Sequence, residues 1–267
     1  MVPYYFAKAI ITDIIEYMDT NTTATGHTGK MKRIGFWGFF VIIIALIVWG
    51  LVAANGKSAG SSARGTAPTT LPAPVTASDW SIGSSTAPVT IVEYADFECP
   101  ACQDYYPILK QLIADENGTA STSGAGANRI FFVYRYFPLP QHPNAIISAE
   151  AAQAAGAQGQ FWAMHDLLFA NYTDWENLSD PTSIFLGYAA KIGISTTTFL
   201  ADLTSPAVAK VVTDSYQADT TAGLDYTPTI FINGTRIDNP GSNIYAGLKA
   251  MVDAAASGTP PTAASAQ

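Results

Sequence analysis

At 267 residues with 48% apolar side chains, the chain is long enough for one sizeable domain or two small ones, and too apolar for a disordered polymer. Its formal charge of -8 is unevenly placed: residues 1 to 64 carry six Lys/Arg against three Asp/Glu and the remainder seven against eighteen, so the first part is about +3 and the rest about -11. No basic stripe lies on the acidic body, which excludes nucleic-acid binding through phosphate neutralisation.

Residues 34–53, IGFWGFFVIIIALIVWGLVA, form an uncharged run of 20 residues. At about 1.5 Å rise per residue the run spans a hydrocarbon core of roughly 30 Å, so it predicts a transmembrane helix. Lys30, Lys32 and Arg33 stand just before it, and only Lys57 and Arg64 follow soon after. That bias keeps the N-terminus in the cytoplasm and everything after residue 54 outside, a single-pass arrangement in the cell membrane. Val52 to Ala54 offers small residues for cleavage, but a signal-peptide apolar region is only about 7 to 15 residues long, which favours an uncleaved signal-anchor. Residues 1–33 then read as a cytoplasmic tail. Met31 opens MKRIGFWGFF, the short basic lead of a signal-anchor, and is an alternative start.

Residues 54–78 are Gly, Ser, Ala, Thr and Pro with almost no large apolar side chain, the composition of a flexible tether. A similar composition ends the chain at 257–267, so the folded unit is expected at about 79–256. Within it, PVTIVEYADF (88–97) reads as a strand. From Pro100 the apolar spacing turns helical through Tyr105, Ile108, Leu109, Leu112 and Ile113. Residues 117–128 are loop by composition, and RIFFVYRYFPL (129–139) is a second buried strand, completing a β-α-β unit. A helical block fills about 144–223. TPTIFING (227–234) returns to strand, with a hairpin turn at Asn233-Gly234 into TRID, and a last helix covers about 242–256.

The only two cysteines, Cys99 and Cys102, sit in DFECPACQDYYP at the first strand-to-helix junction. Zinc needs four ligands, and only His142 and His165 stand by to assist, so a metal site is disfavoured. A structural disulfide closing so short a loop removes little chain entropy. A redox pair has the better physical basis. A thiol at the first turn of a helix meets unpaired N–H groups and the positive end of the helix dipole, which favour the thiolate at Cys99. Cys102 lies three residues on, on the same helical face and within bonding reach. Pro100 suits a first helical position, where no N–H partner is lost. Asp96 and Glu98 oppose the thiolate by like charge, weakened by screening. His165 reads as a packed residue of a helix, and His142 as a surface residue of a loop.

Four blocks, DFECPACQDYYP, YRYFPLPQHPNA, GQFWAMHDLLF and DYTPTIFING, together resemble the DsbA-like thiol-disulfide oxidoreductases, in particular the membrane-anchored bacterial kind similar to BdbD. The resemblance covers about residues 80 to 255. It implies an α/β architecture: a thioredoxin fold with an inserted helical domain, here about 142–223, preceded by the transmembrane helix. It also implies that Cys99 attacks and Cys102 resolves, flanking Pro100 and Ala101. The family's cis-proline falls at Pro228, and Thr227 precedes it, where the backbone pairs with bound peptide. The dipeptide Pro-Ala departs from the best-known member's Pro-His, so an imidazole that helps to hold the thiolate there is missing. No cofactor is implied. The implied substrates are reduced or unfolded exported proteins, and the implied partner is a quinone-linked membrane reoxidase, DsbB-like or similar to vitamin K epoxide reductase. Oxidase is the leading expectation. A reductase or isomerase shares every motif, and a non-catalytic, chaperone-like peptide-binding domain is the rival from outside enzymology.

Overall fold

A computed structural model of the chain describes residues 68–118 and 128–261. The tail expected at 1–33, the membrane span at 34–53 and most of the tether lie outside the described residues, as do 262–267. Among the described residues no helix is long and apolar enough to cross a membrane.

Among the described residues five strands form one sheet in the order β1-β3-β2-β4-β5. They are β1 (Trp80–Ile82), β2 (Val89–Ala95), β3 (Ile130–Tyr136), β4 (Thr229–Ile232) and β5 (Thr235–Ile237). β2 and β3 run parallel, from Val89 opposite Ile130 to Ala95 opposite Tyr136, joined by helix α1 (Pro100–Asn117). β4 is antiparallel to β2, and β5 to β4, through a turn where Asn233 and Gly234 both take positive φ. Helix α7 (Ile244–Ala256) packs back against α1 and the sheet.

Five helices are inserted between β3 and β4: α2 (Ala145–Ala157), α3 (Phe161–Ala170), α4 (Thr182–Lys191), α5 (Thr196–Leu203) and α6 (Pro206–Thr221), with a short 3-10 turn at Tyr172–Asp174. The hydroxyls of Ser195 and Ser205 accept from Thr198 N and Val208 N, starting α5 and α6.

Both faces of the sheet are covered, which explains why the strands alternate only partly. Val89, Ile91, Ala95, Phe132 and Tyr134 join the large core with α1 and the inserted helices. Val92, Tyr94, Val133 and Phe231 join a smaller one with Phe137, Leu139 and Leu224.

β1 is absent from the sequence-based expectation. It pairs antiparallel with β3 and delivers Trp80 onto Phe161, ring centroids 4.3 Å apart and nearly coplanar. A Cβ at Gly156 would stand 2.4 Å from that indole, so only glycine admits it.

The tether boundary needs correction as well: within 54–78, residues 68–78 are fastened to the domain rather than free. Leu71 N donates to Gly234 O, Arg236 N to Thr69 O, and the Arg236 guanidinium to Pro68 O. Arg135 donates to the carbonyls of Ala73 and Pro74, to Tyr94 Oη and, through two nitrogens, to Asp79. Backbone carbonyls held by two arginines do this, and composition does not reveal them.

Candidate active site

β2 ends at Ala95, and the chain turns through Asp96, Phe97 and Glu98 before α1 begins at Pro100, with Cys99 in the capping position. Phe97 anchors the turn, wholly buried between the rings of Tyr134 and Phe169. Cys99 N donates to Asp96 O, and Cys99 O accepts the first helical bond, from Gln103 N. Cys99 is therefore held at the rim of the fold with 6% of its surface exposed, while Cys102, one turn inside, is fully buried. Both are free thiols in this structure.

Their electrostatics diverge. The Cys102 thiol donates to Cys99 and is the largest influence drawing the Cys99 pKa down from 9.0 to about 6, against burial. The Thr227 side chain and the N–H groups of Cys102 and Ala101 add to it. At pH 7 such a thiol is roughly nine-tenths thiolate. Burial, followed by the hydrogen bond it gives to Cys99, pushes the Cys102 thiol well up.

Across from the pair lies the loop before β4. The Thr227–Pro228 peptide bond is cis, and Thr227 O stands 3.5 Å from the Cys99 sulfur. The Thr227 hydroxyl is buried with no other hydrogen-bond partner, so the Cys99 sulfur is the group it can serve. The structure thus gathers Cys99, Pro100, Ala101, Cys102, Thr227 and Pro228 in one place.

Glu93, which the sequence reading passed over, lies beneath the pair in the middle of β2. It is 3% exposed, and its pKa is raised to about 8, chiefly by burial and then by the negative charge of Cys99. It faces the same side as Ile91 and Ala95, which is the cysteine side.

Asp96 and Glu98 act differently from the expectation of simple like-charge opposition. Asp96 is buried and accepts from Glu98 N, Leu139 N and the His142 ring at 2.6 Å. Glu98 accepts from Asn144 N, and its backbone oxygen from Tyr172 Oη. Asn144 in turn donates to the carbonyls of Trp175, Glu176 and Leu178. The two carboxylates fasten the cysteine turn to the start of the insertion. Burial raises both their pKa values against these bonds. His142 is accordingly a buttress of the site, not a surface residue.

A partly thiolate cysteine above a protonated one, beside the loop that presents Thr227 O to it, suits reversible exchange of disulfides. Comparison with known proteins gives the family and the fold. The family model described as Thioredoxin matches residues 76–254. BdbD from Bacillus subtilis, solved in its oxidised form, superposes with a TM-score of 0.56 over 66% of this chain and 92% of that one, at 21% identity. Wolbachia pipientis alpha-DsbA1 gives 0.57 over 69% and 94%, at 18% identity. These two likenesses show the fold. Among curated relatives, a protein of Salinispora arenicola named Na(+)/H(+) antiporter NhaA 1 is 36% identical over 178 residues, 66% of this chain but 24% of that protein. The chain therefore spans about a quarter of the length of the curated relatives it matches. On the family match over 76–254, which takes in the paired thiols and the loop of Pro228, the chain belongs to the thioredoxin family.

Proposed function

We propose that the chain is a membrane-tethered, extracytoplasmic oxidase that introduces disulfides into exported proteins. The observation that carries the direction is the divergence of the two thiols, Cys99 drawn down to about 6 and Cys102 pushed up. A stabilised Cys99 thiolate stabilises the reduced pair and makes its disulfide the stronger oxidant. Relative to a thiol of ordinary pKa, ionisation at pH 7 favours the reduced state by about 1 kcal/mol, a few tens of mV at most for a two-electron couple.

In the oxidising direction a substrate thiolate attacks the Cys99 sulfur, since Cys102 is sealed from solvent. The Cys99–Cys102 bond breaks, a mixed disulfide forms, and Cys102 leaves as a thiolate that takes up a proton. Glu93, kept protonated chiefly by its burial, is the group within reach to give it. A second substrate thiolate then attacks the substrate sulfur of the mixed disulfide and releases Cys99 as the thiolate. Two electrons have passed from substrate to enzyme. The Thr227 backbone pairs with the extended substrate, as in the family. A quinone-linked membrane partner, DsbB-like or similar to vitamin K epoxide reductase, restores the disulfide, and residues 34–53 keep the domain beside it.

The reductase or isomerase reading keeps one observation in its favour: a Cys99 pKa of about 6 is nearer to the value of about 7 in thioredoxin than to about 3.5 in DsbA. Antiport, named for the Salinispora relative, is not proposed, because the shared stretch is a quarter of that protein. The deciding experiment is the equilibrium potential of the pair in a glutathione redox buffer. A value approaching -120 mV supports the oxidase, and one at about -270 mV overturns it in favour of a reductase. Cys102→Ala is expected to trap covalent complexes with substrates in growing cells, and Cys99→Ala to abolish exchange. Unchanged activity in the double variant would leave only the peptide-holding role.

A further inference from the structure

On the far side of Glu93 from the helix start lies a cavity of about 90 Å³, not lined by either cysteine, whose walls include Glu93, Leu109, Ile113, Phe132, Trp162 and His165. It is mostly apolar, yet two buried ionisable side chains border it. Lys110 and Asp166, an ion pair at 2.7 Å, also line it, and their side chains are 56% and 41% exposed. The cavity therefore runs from Glu93, under the thiols, to groups in contact with solvent.

His165 stands between these ends. It is 5% exposed, and edge-on or tilted contacts with Phe97, Tyr106, Tyr134, Phe161, Trp162 and Phe169 fix its ring. Nδ1 reaches Asp166 Oδ1 at 3.1 Å, while Nε2 is buried with no hydrogen-bond partner. An orphaned polar atom in an aromatic cage costs about 1–3 kcal/mol, a penalty that phenylalanine at the same place would escape. A space of this size holds water where polar partners exist, and Nε2 and the Glu93 carboxyl are such partners. The titratable groups around the imidazole are Asp166 on its own helix, Lys110 and Tyr106 on α1, Tyr134 on β3 and Glu93 on β2.

We propose that water in this cavity, together with His165 and Asp166, conducts protons between solvent and Glu93, one proton for each disulfide that the Cys99–Cys102 pair hands on. This rests on the exchange activity proposed above. When Cys102 leaves the disulfide, Glu93 gives its proton to the Cys102 sulfur and becomes a buried carboxylate. In the disulfide form the neutral imidazole holds its proton at Nε2; it passes that proton through cavity water to the carboxylate and takes one up at Nδ1 from the Asp166 side, which leaves the Nδ1–H facing Asp166 in this structure with free thiols. Reoxidation requires Cys102 to lose a proton again. The same groups carry it outward then, which returns the imidazole to its first tautomer. Burial depresses the His165 pKa, so the ring is neutral at rest and able to shuttle in both directions.

The test is stopped-flow reduction of the oxidised protein by dithiothreitol. His165→Ala is expected to slow it by about tenfold or more, with rate restored by added imidazole in proportion to concentration. The equilibrium potential and the pH profile of Cys99 alkylation stay unchanged, because a conduit alters rates only. Ile113→Phe, which plugs the cavity and leaves His165 in place, is expected to slow the same step and decides the matter if His165→Ala does not fold. Normal rates in both variants overturn the conduit, as does a slowing that imidazole does not relieve and that comes with a shifted potential. A failure of the exchange reading would look different, since Cys99→Ala would then retain activity.

Discussion

Glu93→Gln offers a quantitative check on the site. In the folded protein with free thiols the carboxyl keeps its proton to about pH 8, against 4.5 for an unperturbed glutamate. Between those two values the unfolded chain ionises while the folded one does not, so Glu93 makes stability fall as pH rises through the window and level off above it. The proton-linkage expression gives a cost of about 3 kcal/mol at pH 7 and under about 0.5 kcal/mol at pH 4.5. Glutamine removes the titration and leaves any pH-independent change the same at both values. Reduced wild-type and variant protein, unfolded in urea at pH 4.5 and pH 7, should therefore differ by about 3 kcal/mol more at the higher pH, to the variant's advantage. In a thermal scan that is roughly 6–12 °C for a domain of this size. The gap should narrow in the disulfide form, where the Cys99 charge that helps to raise Glu93 is absent. Equal gaps at the two pH values would refute the buried, protonated acid, and with it the assignment of Glu93 as the proton source.

Iodoacetamide should label native reduced protein at Cys99 alone, at a rate rising through about pH 6, as read by peptide mass spectrometry; labelling of Cys102 first would contradict the burial order. Thr227→Val, which removes the buried hydroxyl, should raise the Cys99 pKa by about one, and Thr227→Ser should restore it; identical alkylation profiles would show that the hydroxyl contributes nothing. Arg135→Met removes the cation from Asp79 and leaves it only the donors of Thr76, which should cost about 3 kcal/mol, with limited proteolysis moving to residues 68–79. Unchanged protease resistance there would mean that the backbone bonds to Arg236 and Gly234 suffice.

The junction that carries the thiols was legible because the apolar period changes from two to about 3.6 at Pro100, and Pro100 marks the helix start by its own stereochemistry. The helical block at about 144–223 was legible from its own apolar spacing, whereas its place as an insertion in a thioredoxin fold and the cis bond at Pro228 were implied by resemblance alone, as no local pattern specifies either. Glu93 had a signal that went unused: a carboxylate on the Ile91 and Ala95 face of an otherwise apolar strand is a buried charge in waiting. His142 was misplaced because its partner, Asp96, lies 46 residues away, and a loop histidine before a proline carries no mark of so distant a bond. Residues 68–78 resembled a linker for a related reason. Their anchorage uses backbone carbonyls, which every residue possesses, and the informative residues are Arg135 and Arg236, far along the chain.

The clasp of Asp96 and Glu98 on the 139–145 segment bears on how this domain is put together as a module. A designer who cut out residues 138–222 to recover a minimal thioredoxin would remove the donors at Leu139, His142 and Asn144 that both carboxylates use. Asp96 would keep only Glu98 N as a donor and the Glu98 carboxylate would lose Asn144 N, leaving two under-partnered acidic groups at the mouth of α1, next to a sulfur that works as an anion. The helical segment is thus no detachable ornament, and transplanting the CPAC stretch into a bare thioredoxin scaffold would require Asp96 and Glu98 to be neutralised at the same time.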